Sequence, residues 1–363
     1  MGFACGIIGL PNSGKSTIFN ALSAARAEVA SYPFCTINPN QGIVPVPDER
    51  LQKLAKILHP EKVTPTTLEF WDIAGLVKGA SQGEGLGNKF LGHIRNVDAV
   101  AHVVRCFEAE NVVHVYGSLD PGRDIEIIQT ELILADLETV EKRLSKAGHQ
   151  AKVGDKKSSA EIPFLQNLKD RLAAGEPASG VNLPGEGQKL LHSLELLTAK
   201  PVLYVANASE RDLKERRFIS RVQEHASREK APLVVICGDL EAEMIELSEA
   251  ERVEFLREMG LAESALNQLI RVGYKLLNLV TFYTTVGPEL RAWTVPVGTS
   301  VPQAAGKIHS DMERGFIRAE VISCAEFFKT GAMAAARERG LIRVEGKEYT
   351  VLDGDILHIR FHV

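Results

Sequence analysis

The five cysteines, Cys5, Cys35, Cys106, Cys237 and Cys324, are scattered, odd in number and contain no C-x-x-C pair. Neither a disulfide framework nor a zinc framework can be built from them, so reduced thiols in a cytoplasmic protein are expected. Also missing is any apolar stretch near the roughly 20 residues that span a bilayer, or a basic leader ahead of the first apolar run. Met1-Gly2 begins like an acylation signal, but Gly6 stands where Ser or Thr would be needed. No membrane contact is expected. Charge of one sign is lacking too: the formal net charge of -5 gives no overall attraction to nucleic acid or anionic lipid. With 45% apolar and 25% charged residues, large-scale disorder is excluded, and 363 residues read as two or three domains.

Against these absences stands one complete motif. Gly9-Leu10-Pro11-Asn12-Ser13-Gly14-Lys15-Ser16 is a G-x-x-x-x-G-K-S phosphate loop placed directly after the strand-like run from Phe3 to Ile8. The glycines let backbone N–H groups turn inward around phosphates, Lys15 reaches the outer ones, and the Ser16 hydroxyl is left for magnesium. Thr17 opens a stretch with helical spacing, which points the positive end of a helix at the anion. The pattern predicts a nucleoside triphosphate site.

Five short apolar runs, 3–8, 68–71, 99–107, 201–206 and 233–237, alternate with helical or loop stretches. That is the pattern of a parallel sheet covered on both faces, with ligands at the carboxyl ends of its strands. Between the third and fourth runs lies a charged excursion with helical periodicity. Ile125, Ile128, Leu132 and Ala135, then Leu137, Val140 and Leu144, step by three and four. Ser158 with Glu161 reads as the capping box of a second helix, and Leu190, Leu194 and Leu197 suggest a third. The basic turn of this hairpin (Lys142, Arg143, Lys146, Lys152, Lys156, Lys157) is either a solvated helix end or a contact for an acidic partner. From about residue 278 short strands and turns take over. In the last run Leu357, Ile359 and Phe361 alternate with His358, Arg360 and His362, predicting one buried and one wet face. Residues 281–363 hold ten basic and ten acidic side chains, so no electrostatic grip on nucleic acid is written there.

Two switch-like pieces follow the phosphate loop. Asp72-Ile73-Ala74-Gly75 is a D-x-x-G at a strand end, with Asp72 suited to the magnesium shell and the Gly75 N–H to the terminal phosphate. Thr36, in the loop Pro33-Phe34-Cys35-Thr36-Ile37, reads equally as a hydroxyl that closes on magnesium and as an ordinary turn residue. The glycine-rich run from Gly79 to Gly87 fits a loop ordered by the γ-phosphate. Leu76 occupies the place where a Ras-type switch carries the glutamine that orients water, so unaided hydrolysis should be slow. Asn12 is a candidate ligand for a potassium ion or a turn stabiliser, and His114 a candidate for water positioning or a structural residue. The fourth run ends in Asn207-Ala208-Ser209-Glu210 where guanine readers carry N-K-x-D. The lysine is missing and the short carboxylate is replaced by Glu210, which removes the main selection against adenine. ATP is therefore expected over GTP, while Ser209 and Asp212 also suit a helix cap.

With these residues in place, the chain resembles the Obg-like ATPases of the YchF family. The likeness rests on residues 9–16, Tyr-Pro-Phe-Cys-Thr-Ile at 32–37, Asp-Ile-Ala-Gly-Leu-Val at 72–77, residues 83–91, Asn-Ala-Ser-Glu at 207–210, and Arg-Ala-Trp-Thr at 291–294 with 315–321 and 353–355. The resemblance implies an α/β P-loop domain of Ras-like, Obg type at 1–123 and 199–277, a coiled-coil insertion at 124–198, and an α+β β-grasp (TGS) domain at 278–363. It further implies a slow magnesium-dependent ATPase in which Asn12, Ser13, Gly14, Lys15, Ser16 and Thr17 hold the phosphates, Ser16 and Thr36 the metal, and Asn207 and Glu210 the adenine side. Leu76 fits the family's hydrophobic replacement of glutamine, and His114 stands at its proposed catalytic histidine. Association with the large ribosomal subunit, RNA contact through the insertion and the TGS domain, a regulatory part in translation or stress, and a monomeric state are expected. The alternatives are an ATP-gated scaffold that hardly hydrolyses, and a small-molecule phosphotransferase, which the arginine-poor loop after Gly75 disfavours.

Overall fold

A computed structural model of the chain describes residues 3–24, 40–73, 86–109, 112–181 and 185–362. Two compact units emerge: residues 1–44 with 69–273, and residues 45–68 with 274–363. No described helix is long and apolar enough to cross a membrane.

The first unit holds a sheet of β1 (Ala4–Ile8), β2 (Gln41–Pro45), β4 (Thr67–Asp72), β5 (Ala99–Cys106), β6 (Val202–Ala208) and β7 (Leu233–Ile236). Its order is β2-β4-β1-β5-β6-β7, and β4, β1, β5, β6 and β7 run parallel, as the five apolar runs predict. β1 and β5 are buried along their whole length, which is why they carry no polar alternation. The edge strand β2 was not legible, because its core-facing residues are only Gly42 and Val44.

Helix α1 (Lys15–Ala24) follows the phosphate loop and buries Ile18, Phe19, Ala21 and Leu22. Helix α4 (Pro121–Lys152) is the long amphipathic helix, 32 residues or about 48 Å. Its two halves do different work. Ile128, Leu132 and Ala135 pack on β1, β5 and helix α3 (Leu86–Arg95). Val140, Leu137 and Leu144 pack instead on α5 (Lys156–Ala173) and α6 (Glu186–Ser193). The first turns of α4 thus belong to the core of the sheet, and the hairpin leaves it later than residue 124. The cap of α5 also differs from expectation: Asp155 accepts from the N–H of Lys157 and Ser158, while the Ser158 hydroxyl turns back to Gln150. Asp136 anchors the return chain, accepting from the N–H groups of Leu197 (2.7 Å) and Thr198 (2.8 Å) and from the Thr198 hydroxyl. The unit continues through α7 (Glu210–Glu215), α8 (Arg217–Glu229), α9 (Gly238–Glu246), α10 (Glu249–Glu258) and the greater part of α11 (Ala265–Leu276).

The second unit carries a mixed sheet of β3 (Lys62–Thr64), β8 (Leu279–Val286), β9 (Glu289–Pro296), β10 (Phe316–Ser323), β11 (Arg343–Glu345) and β12 (Asp355–Phe361), ordered β11-β10-β12-β8-β9-β3. The β8–β9 hairpin, helix α12 (Val301–Ile308), and a last strand β12 parallel to β8 give the expected β-grasp order. Helix α12, opened by Ser300 in a capping box with Gln303, covers one face with Val301, Ala304 and Ala305. The other face is covered by α2 (Glu49–Leu58) through Leu51 and Leu54, by α14 (Cys324–Thr330) and by α15 (Met333–Glu338), with α13 (Ser310–Arg314) between α12 and β10. Two expectations change here. Residues 45–68, read as part of the nucleotide domain, pack in the C-terminal unit, with β3 parallel to β9. The start of β12 is dry on both faces, since Ile356 joins α2 while Leu357 joins α12.

Candidate active site

The phosphate loop joins β1 to α1 in a backbone that only its own residue types allow. Gly14 has φ +92°, and a Cβ there would sit 2.0 Å from Asn207 Nδ2; a Cβ on Gly9 would sit 2.3 Å from the Val103 carbonyl oxygen of β5. Asn12 takes φ +62°, a left-handed conformation asparagine tolerates, and its Nδ2 donates to the Val113 carbonyl at 3.1 Å. Asn12 therefore acts as the turn stabiliser in this structure. Lys15 is 7% exposed and its Nζ donates to the Leu10 carbonyl at 2.8 Å, so the loop closes on its own lysine. Burial lowers the Lys15 ammonium to about 8, with Asp72 pulling the other way.

Ser16 and Asp72, separated by 56 residues, meet because β4 is hydrogen-bonded beside β1: Ser16 Oγ lies 3.3 Å from Asp72 Oδ2. The second carboxylate oxygen, Oδ1, is buried with no hydrogen-bond partner among the described residues. A serine hydroxyl beside an unspent carboxylate oxygen, next to a phosphate loop, is the hard oxygen set that magnesium takes. The residues present fit the metal. Thr36, Gly75, Leu76 and most of the glycine-rich run lie outside the described residues.

On the far side of the loop Asn207 ends β6. Its Nδ2 donates to the Ser13 carbonyl at 3.0 Å and its Oδ1 accepts from the Gly238 N–H at 3.1 Å. The amide expected on the adenine side is thus spent on bracing the phosphate loop against the first turn of α9. Sequence reading missed Gly238; the signal available was a glycine directly after a fifth apolar run. Glu210 is exposed at the start of α7, and Ser209 caps that helix by accepting from the Asp212 N–H. Thr17 lies half-buried in the first turn of α1, its methyl 3.5 Å from where a Gly238 Cβ would be.

His114 lies against the same loop, but both ring nitrogens are taken. Nε2 and Asp124 Oδ2 are 2.8 Å apart, and Nδ1 accepts from the Tyr116 N–H at 3.2 Å. The His114 side chain is 8% exposed. In this geometry the ring cannot orient a water while Asp124 holds it. Asp124 had no signal in the sequence beyond its place in the first turn of a helix.

A phosphate loop between the first strand and helix of a parallel sheet, with an aspartate ending the neighbouring strand, defines a P-loop nucleoside triphosphatase. Comparison with known proteins narrows this. A family model described as 50S ribosome-binding GTPase matches residues 4–135, and the YchF C-terminal model, described as a protein of unknown function, matches residues 279–362. The chain is 52% identical to the ribosome-binding ATPase YchF of Bacillus subtilis and 50% identical to that of Escherichia coli O157:H7, with all of each chain covered. The structure of the Schizosaccharomyces pombe YchF GTPase superposes with a TM-score of 0.89 at 35% identity, covering 99% of this chain and 97% of that one. The chain belongs to the YchF family.

Proposed function

We infer that this protein is a ribosome-binding ATPase, a reading carried by the complete, braced phosphate loop in a chain about half identical to relatives named for that activity. ATP is taken over GTP because no lysine and no short carboxylate follow Asn207 to read guanine. In the reaction Lys15 leaves the Leu10 carbonyl for the outer phosphates, and the N–H groups of Asn12 to Thr17 cradle them while Asn207 keeps the loop from shifting. Ser16 and Asp72 would hold magnesium, with Thr36 as the further ligand, and the metal would screen the charge that develops on the phosphate oxygens. Gly75 reports the terminal phosphate. A water attacks the γ-phosphorus as the bond to ADP breaks. With Leu76 unable to orient that water, His114 does so after turning away from Asp124; Asn12, whose Nδ2 is held by the Val113 carbonyl, keeps its side-chain oxygen for a potassium ion, which would add positive charge beside the phosphates. Two committed ring nitrogens and an aliphatic Leu76 together favour slow unaided turnover.

The large ribosomal subunit is the partner, with the insertion and the C-terminal unit as the RNA contacts, and the protein works as a cytoplasmic monomer. Equilibrium binding of labelled ATP and GTP tests the base preference, and a tenfold preference for GTP overturns it. Single-turnover hydrolysis with and without potassium, in the parent and in His114→Ala, tests the chemistry; indifference to both removes it. Co-sedimentation with ribosomal subunits at physiological salt tests the partner.

A further inference from the structure

Arg105 is 5% exposed at the carboxyl end of β5, and nothing in the reaction above uses it. Its guanidinium is spent on the backbone between β5 and His114. Nε donates to the Phe107 carbonyl at 3.1 Å and Nη2 to the Val112 carbonyl at 3.0 Å, so one rigid fork bridges both ends of that segment. The next carbonyl, Val113, accepts from Asn12 of the phosphate loop at 3.1 Å. The residue after it is His114. The third donor, Arg105 Nη1, is buried without a hydrogen-bond partner among the described residues, as is Ser13 Oγ, and both residues line a small cavity under the phosphate loop with Leu10, His102, His114 and Asp124. Burial works against the Arg105 charge and Asp124 supports it. A folded core rarely keeps a guanidinium with an unmet donor when an apolar residue would fill the space, and such unmet groups collect at sites that do chemistry.

We propose that Arg105 is a positioning residue for ATP hydrolysis: by clamping the Phe107 and Val112 carbonyls it sets the backbone from which His114 reaches the phosphate loop. Asn12 ties the same segment from the other side, so the loop that binds phosphate and the loop that carries the histidine are registered to each other. The inference rests on the reading of His114 as the residue that orients water. Lysine keeps the charge but offers one nitrogen on a flexible stem in place of the rigid fork that sets Nε on Phe107 and Nη2 on Val112, so charge alone and the clamp are separable.

The test uses the full chain, with Arg105→Ala, Arg105→Lys, His114→Ala and the double variant Arg105→Ala/His114→Ala. Measured quantities are the single-turnover rate, ATP affinity, and hydrogen exchange of the peptide spanning Phe107 to His114. The expected result is at least a tenfold loss of rate in both Arg105 variants, ATP affinity within threefold of the parent, faster exchange in that peptide, and no further loss in the double variant. Arg105→Lys serves where the alanine variant fails to fold. A normal rate in Arg105→Lys, or a double variant that multiplies the two losses, overturns the proposal and leaves the His114 reading standing. A normal rate in His114→Ala overturns both.

Discussion

In the nucleotide unit the residues of the phosphate loop are neighbours in the chain, Gly9 to Ser16, and the sheet adds Asp72 and Asn207. In the C-terminal unit the helix that dries one face of the sheet, α2, comes from far away: Arg50 pairs with Asp353 across 303 residues, and the Tyr283 hydroxyl donates to Asp48, the cap of α2, across 235. An anion cradle needs successive backbone N–H groups, which only a continuous segment supplies. A sheet face needs only apolar surface, and that can be recruited from anywhere. The excursion 45–68 leaves from β2 and returns into β4, whose last residue is Asp72, so the chain runs through the C-terminal unit on its way to the carboxylate that meets Ser16.

The contrast is most directly broken at Leu54, fully buried against Tyr283, Leu290 and Ile356. Leu54→Ala should cost about 3 kcal/mol, and faster hydrogen exchange should spread through residues 274–363. Faster exchange confined to 69–273 would return α2 to the nucleotide unit. Next in size, Asn207→Ala removes two buried hydrogen bonds from the brace and should weaken ATP binding by about 2 kcal/mol, roughly thirtyfold, as isothermal titration would show. Unchanged affinity would mean the loop is self-supporting.

Asp48 gives a smaller, pH-dependent test of the second unit. Burial raises its carboxyl, but Arg50 and the Tyr283 hydroxyl outweigh this and hold it below the ordinary value of 3.8. A folded-state value below the unfolded one means stability present above about pH 4 and lost as pH falls through the folded value. Asp48→Asn should therefore cost on the order of 1 to 2 kcal/mol at pH 7, with the difference from the parent shrinking below pH 4 in urea titrations. A constant difference down to pH 2 would show that the cap hydrogen bond, not the charge, is what matters. Smallest is Lys142→Ala on the insertion. Its partner Glu138 is 56% exposed and Lys142 itself 74%, so thermal stability should move by less than about 0.5 kcal/mol. Any loss of ribosome co-sedimentation in that variant then reports contact rather than unfolding.

The parallel strands could be read in the sequence because double burial makes them continuously apolar, and the long helix because one apolar stripe runs through it. That stripe does not say what it faces, so the change of partner from sheet to α5 near Leu137 was invisible. Likewise, the family resemblance puts Asn207 on the adenine side without saying what its amide touches. Its hydrogen bonds to Ser13 and Gly238 exist only because β6, the phosphate loop and α9 converge.

What the chain determined alone is local: the phosphate loop, whose glycines and Asn12 select their own backbone angles, the helix caps at Ser209 and Ser300, and the alternation of strands with helices. The fold decided what depends on distant partners. It joined Ser16 to Asp72, gave His114 to Asp124, set Arg105 across the loop before it, and placed 45–68 on the second sheet. Apolar burial carries no label for its partner, and a side-chain donor reveals its acceptor only when packing has brought the two within about 3 Å.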